Sequence, residues 1–131
     1  MSKSIIEAPN QFMLELHTWE RALDFYKQEN VFLKTHLSGI IDTSQDASVV
    51  ESAEQFNNKF VFIDELILAL QQDIRLQSQL LREHIAGDST QKEVMNKLQL
   101  RLRHGMEKFD KEMATLKKKF NQKIVGLIKI N

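Results

Sequence analysis

"LHTWERALDFYKQENVFLKTHL", residues 16–37, decides the fold of this chain. Leu16, Trp19, Leu23, Tyr26, Asn30, Leu33 and Leu37 recur at alternating steps of three and four. That spacing is the seam of a coiled-coil helix, where a narrow apolar stripe turns steadily toward one neighbour. The seam continues to Ile40, and its single chemical departure is Asn30, an amide standing where the pattern asks for a hydrophobe.

Two further helices follow from the same reading. Asn10 is a favourable N-cap just after Pro9, so the first helix is expected over about residues 10–41, ended by Gly39 or by the "DTSQD" cluster. Ser48 and Glu51 have the spacing of a capping box, opening a second helix over about 48–86. Its seam is Val49, Ala53, Phe56, Phe60, Ile63, Ile67, Leu70, Ile74, Gln77 and Leu81, stopped by Gly87 and Asp88. Thr90 and Glu93 form a second such box for a helix over about 90–127, with Leu98, Leu102, Met106, Phe109, Met113, Leu116, Phe120, Ile124 and Leu127 inward. Here the steps drift toward four-four, making the third helix the least regular.

Short connections force neighbouring helices antiparallel. The expected fold is therefore all-α: an elongated antiparallel up-down-up three-helix bundle with coiled-coil packing, forming a single domain over residues 1–131. Long helices in a three-membered bundle bury less per residue than a globular core, so a homodimer of two bundles is also an expectation.

Two registers compete for the first helix pair. One sets Trp19 opposite Ile67, Leu23 opposite Ile63, Tyr26 opposite Phe60 and Asn30 opposite Phe56. Glu29 then lies near Lys59, Asn57 and Asn58 lie near Asn30, and Ala69 and Gly105 leave room for Trp19. The other is shifted by one heptad. In either, Trp19, Phe25, Tyr26, Phe32, Phe56, Phe60 and Phe62 make an aromatic middle. Asn30 reads as a register pin: a core amide costs stability, but it penalises misaligned packings in which it finds no partner. A ligand-facing amide and a different helix rotation are the alternatives. Asn30, Trp19, Tyr26, Phe56 and Phe60 are thus the residues expected to set the core register.

Composition narrows function by exclusion. The chain of 131 residues has no cysteine, which removes disulfides and thiolate metal sites and fits a reducing, cytoplasmic setting. "MSKSIIEAPN" has no apolar stretch of the signal-peptide kind, and "IVGLI" is too short to span a bilayer. There is no Glu-x-x-His pair, no His-Glu-x-x-His, no glycine-rich phosphate loop and no Gly-x-Ser-x-Gly elbow. Of the four histidines, His17, His36, His84 and His104, only His17 and His104 fall at similar heights, with Asp73 nearby. Both lie off the seams, so no catalytic, cofactor-binding or metal-ligating residue is assigned and no cofactor is expected.

Two features point outward instead. Ala22, Phe25, Glu29, Phe32, His36 and Gly39 form a second stripe beside the first seam. It is expected to touch the third helix; otherwise Phe25, Glu29, Phe32 and His36 make a partner-binding face. The second feature is charge. Residues 1–87 hold 7 basic and 13 acidic side chains, residues 88–131 hold 11 and 5. The basic end carries Lys117, Lys118, Lys119 and Lys123 among apolar residues, a pattern compatible with nucleic acid or anionic membrane. A basic helix lying against acidic ones, its lysines also favouring the helix C-terminus, is the plainer account.

At "LDFYKQEN" and "EQFNNKFVFIDEL" the chain resembles small uncharacterised helical proteins of Bacteroidetes-type bacteria. The likeness covers roughly residues 15–85 and is carried by Phe25, Tyr26, Lys27, Phe56, Asn58, Phe60, Ile63, Asp64, Glu65 and Leu66. It implies a cytoplasmic all-α protein and no activity. The expected function is a non-enzymatic protein-protein interaction or scaffolding module, with contact to nucleic acid or anionic membrane as the alternative.

Overall fold

The computed structural model describes residues 2–83 and 89–125, with side chains over 10–83 and 89–124. It is an all-α three-helix bundle: α1, Ser2–Thr43; α2, Ala47–Glu83; and α3, Ser89–Phe120, extended by one π-helical turn, Asn121–Val125. At about 1.5 Å per residue, the 42 residues of α1 make a rod on the order of 60 Å long.

Side-chain pairs fix the helix directions. Asn30 and Lys34 of α1 reach Phe60 and Asp64 of α2, so residue numbers fall on one helix as they rise on the other. Between α1 and α3 the numbers rise together, from Glu15–Arg103 through Tyr26–Asp110 to Glu29–Lys117. Adjacent helices are therefore antiparallel and the outer two parallel, which is the up-down-up order. The α1 and α2 backbones pack most closely, whereas α1 and α3 are bridged by long side chains.

The seams form the core. Leu16, Leu23, Asn30 and Leu37 of α1 are buried, with Trp19, Tyr26, Leu33 and Ile40 half-buried between them. Every seam position of α2 is buried except Leu70, which is half-buried; α3 is buried along its expected line from Leu98 through Ile124, and Met95, one turn earlier, joins it. The four-residue steps of α3 over-rotate an α-helix by about 40° each. Its last turn compensates by widening to a π turn, in which each residue rotates less, and Ile124 stays fully buried.

Several expectations need correction. Helix α1 begins at Ser2, not at Asn10: within a helix Pro9 forgoes one backbone bond without ending it. Gly39 does not stop α1 either; the polar "DTSQD" cluster does. The cap of α2 is Asp46 rather than Ser48. Asp46 Oδ1 accepts the Ser48 amide at 2.9 Å, and its own carbonyl accepts the Val50 amide at 3.1 Å. Asp46 precedes the first helical residue and has the short carboxylate such a position favours. Thr90 likewise already lies inside α3. Residues 84–88 and 126–131, which include the expected end of the second helix, His84, the Gly87–Asp88 break, Leu127 and Lys129, lie outside the described residues.

The register is the one shifted by a heptad. Asn30 Nδ2 donates to the Phe60 carbonyl at 2.7 Å and to Asp64 Oδ1 at 2.6 Å, which places Asn30 at the level of Ile63, not Phe56. Lys34 closes the group on Asp64. Asn57 and Asn58 are not its partners, and Glu29 pairs with Lys117 instead of Lys59. Nor is there one aromatic middle. Phe56 and Phe60 pack edge-on against Phe120, Tyr26 packs against Phe109, and Phe25, Phe32 and Phe62 face solvent. Gly105 lies against Leu70, and Ala69 is exposed, so neither is set aside for the indole of Trp19.

Candidate interaction surface

Besides the ion pairs Glu29–Lys117 and Asp73–Arg101, three polar bridges join the helices among the described residues. The first is Asn30–Asp64–Lys34. The second is a chain across all three helices: Gln77 Nε2 donates to the Met95 carbonyl and to Gln99 Oε1, and Gln99 Nε2 donates to the Phe12 carbonyl and Glu15. Arg103 then forks onto both oxygens of Glu15 at 2.7–3.0 Å. That guanidinium holds the Glu15 carboxyl below its ordinary pKa, outweighing the effect of burial, while Glu15 raises the pKa of Arg103. The third is the Tyr26 hydroxyl, which donates to Asp110 at 2.9 Å. Burial, then the hydrogen bond to Asp110, pushes the phenol up to about 12.

The second stripe of α1 divides. Glu29 turns toward α3, where its Oε2 accepts from Lys117 at 2.9 Å, and Ala22 packs half-buried against the core. Phe25, Phe32, His36 and Gly39 are exposed, Phe25 at 61% and Phe32 at 70%. The expected contact with α3 therefore holds at Glu29. On a helical wheel at 100° per residue, Leu14, Phe25 and Phe32 fall within about 20° of one line, and Leu14 is 67% exposed. Glu29 is not part of this outer face.

The basic end divides too. Lys117 is committed to Glu29 and half-buried, and Phe120 is in the core; Lys118, Lys119 and Lys123 are exposed. Lys119 and Lys123 line a depression of about 420 Å³ between α2 and α3, together with Gln55, Phe56, Lys59 and Gln122. A second depression of about 310 Å³ adjoins it, sharing Lys59 and Lys119 and adding Lys111, Glu112, Thr115 and Leu116. A third, about 290 Å³, takes Glu112 and continues over Phe62, Leu66, Ala69, Leu70, Gly105 and Phe109, with Asp73 and Lys108 also lining it. Sharing these residues, the three adjoin as a trough along the α2–α3 boundary, lysine-lined at the Lys123 end and mainly apolar at the Gly105 end.

That trough escaped the sequence reading, although a signal for it exists. Phe62, Leu66, Ala69, Asp73 and Leu76 keep three-four steps beside the main seam of α2. His17 and His104 are exposed on different helices, and Asp73 is taken by Arg101 at 3.2 Å. Among the described residues no group of three potential metal ligands comes together, and no described helix is long and apolar enough to cross a membrane. Compared with protein families, curated proteins and solved structures, the chain finds no match in any of the three.

Proposed function

We propose that the chain is a non-enzymatic interaction module that binds another protein through apolar side chains its own core leaves outside. The observation that carries this is the line of Leu14, Phe25 and Phe32 on α1, each more than half exposed. Burying a phenyl ring is worth about 1.5–3 kcal/mol, so a surface that keeps two of them in line forgoes that gain while standing alone. Single exposed apolar residues are ordinary; an aligned set marks a contact face. The polar bridges support the reading from the other side. They join the helices without using this face, so α1 gives its seam to the core and keeps Leu14, Phe25 and Phe32 outside it.

The competing reading, contact of the basic end with nucleic acid or anionic membrane, rests on Lys118, Lys119 and Lys123 alone. Lys117 is spent on Glu29, and no exposed aromatic stands among these lysines to stack a base. Photo-crosslinking decides the main proposal. A benzophenone amino acid placed at Phe25 and, separately, at Phe32 in cells producing the protein should label the same partner protein. The same group at exposed Gln72 of α2 should not. Labelling that is equal at all three positions, or absent at the first two, overturns the proposal.

A further inference from the structure

We infer that the trough between α2 and α3 docks an acidic amphipathic helix of a partner protein, its apolar residues on Phe62, Leu66 and Leu70 and its carboxylates on Lys59, Lys119 and Lys123. This rests on the interaction-module reading but concerns a different face.

Shape comes first. From Gly105 to Lys123 the trough follows α3 for about 27 Å at 1.5 Å per residue, the length of about five helical turns. A straight trough between two antiparallel helices is where a further helix completes a four-helix arrangement. At Gly105 the two walls meet closely: a Cβ there would stand 3.2 Å from Leu70 Cδ2, so the glycine lets α3 lie against Leu70 at the apolar end of the trough.

Charge then selects the occupant. Among the described residues none of Lys59, Lys111, Lys119 or Lys123 forms an ion pair, and Lys59 lies over the Phe56 ring at 5.3 Å. Attraction to the α3 C-terminus accounts for Lys119 and Lys123 but not for Lys59, in the interior of α2, or Lys111, two turns upstream. Four unpaired ammonium groups in one trough create a field that an acidic helix flank neutralises. One feature disfavours a polyanion: Glu112 stands in the middle, where a phosphate chain would meet a like charge and a helix can offer a cation.

The test uses the full chain and a fluorescent synthetic peptide of about 20 residues, leucine at helix-face spacing and glutamate on both flanks. Two controls replace glutamate by lysine, or leucine by serine. Binding is read by anisotropy. The glutamate-leucine peptide should bind at least about tenfold more tightly than either control, a difference near 1.4 kcal/mol, and weaken as salt rises. Lys59→Gln with Lys119→Gln, and separately Leu66→Glu, should each cost about tenfold, while Glu112→Lys should tighten binding. All these positions are exposed or half-buried, and circular dichroism verifies the fold of each variant.

Equal binding of the lysine peptide, or no binding, overturns the inference. So does binding of single-stranded DNA or phosphatidylglycerol vesicles, but not the peptide, that the lysine changes abolish; the trough would then be a polyanion site. Self-association removed by the same changes would assign the trough to a second copy and also overturn it. If peptide binding survives them but is lost in Phe25→Ser with Phe32→Ser, the trough inference falls while the interaction-module reading stands. If the crosslinks at Phe25 and Phe32 fail while the trough binds as expected, it is the α1 face that falls.

Discussion

At the scale of single residues, Asn30 shows how one amide can be costly and still informative. It is fully buried, its Nδ2 has two acceptors, and its Oδ1 has no donor. An unsatisfied buried acceptor costs about 1–3 kcal/mol, and the Phe60 carbonyl lies in a helical ladder that already serves it. Asn30→Leu should therefore raise the melting temperature by about 2–6 °C in a thermal scan, while removing the pin against other registers. A fall would mean that the bonds to Phe60 and Asp64 outweigh the cost of burial. Tyr26 gives a second residue-level prediction, made clean because it is the only tyrosine. Its phenol titrates near 12 in the fold against an ordinary 10.0. A raised pKa means that the fold favours the neutral form, so this contribution is complete below about pH 10 and is lost as pH rises toward about 12. Phenolate absorbance should report the high midpoint in native protein and the ordinary one in denaturant, and Tyr26→Phe should lose less stability than the parent over that window.

At the scale of elements, helix boundaries were the least legible feature. Ser48 and Glu51 have capping-box spacing, yet Asp46 two residues earlier takes the cap, because the three-residue turn Ser44–Asp46 sets its carboxylate over the first amides of α2. Asp46→Ala should cost about 1 kcal/mol in chemical denaturation, and Ser48→Ala should leave stability unchanged within about 0.5 kcal/mol. Equal losses would restore the Ser48 cap. Within the helices the periodicity was legible along the seam of α2, Gln77 included, and along α3 from Leu98 to Ile124, with Met95 missed. Gln99, the partner of Gln77, was not legible, since it sits one position off the seam next to Leu98. Only the approach of α1, which supplies the Phe12 carbonyl and Glu15, makes a glutamine there fully buried. The second stripe of α1 was legible as a stripe but not in its fate: Glu29 went to α3 and Phe25 and Phe32 to solvent, because α1 and α3 meet at a distance that only long side chains span.

At the scale of the whole molecule, the bundle separates residues that hold it together from residues it merely carries. Phe25→Ser with Phe32→Ser should change unfolding free energy by less than about 0.5 kcal/mol each, whereas Phe60→Ala, fully buried against Phe120, should cost about 3–5 kcal/mol. A large loss from the Phe25 and Phe32 pair would place them in a covered interface, most simply a dimer. The sequence by itself determined the all-α class, the three helices and nearly every core residue, because each of these follows from local periodicity and turn chemistry. The tertiary structure alone decided the register between α1 and α2, the pairing of Glu29 with Lys117, and the trough that joins Lys59 to Lys119. Heptad repeats look alike when slid by seven residues, so periodicity cannot choose between registers. What chooses is the energy of particular long-range contacts: an amide that finds Asp64, a glutamine that finds its partner on another helix, and a glycine that lets α3 close on Leu70.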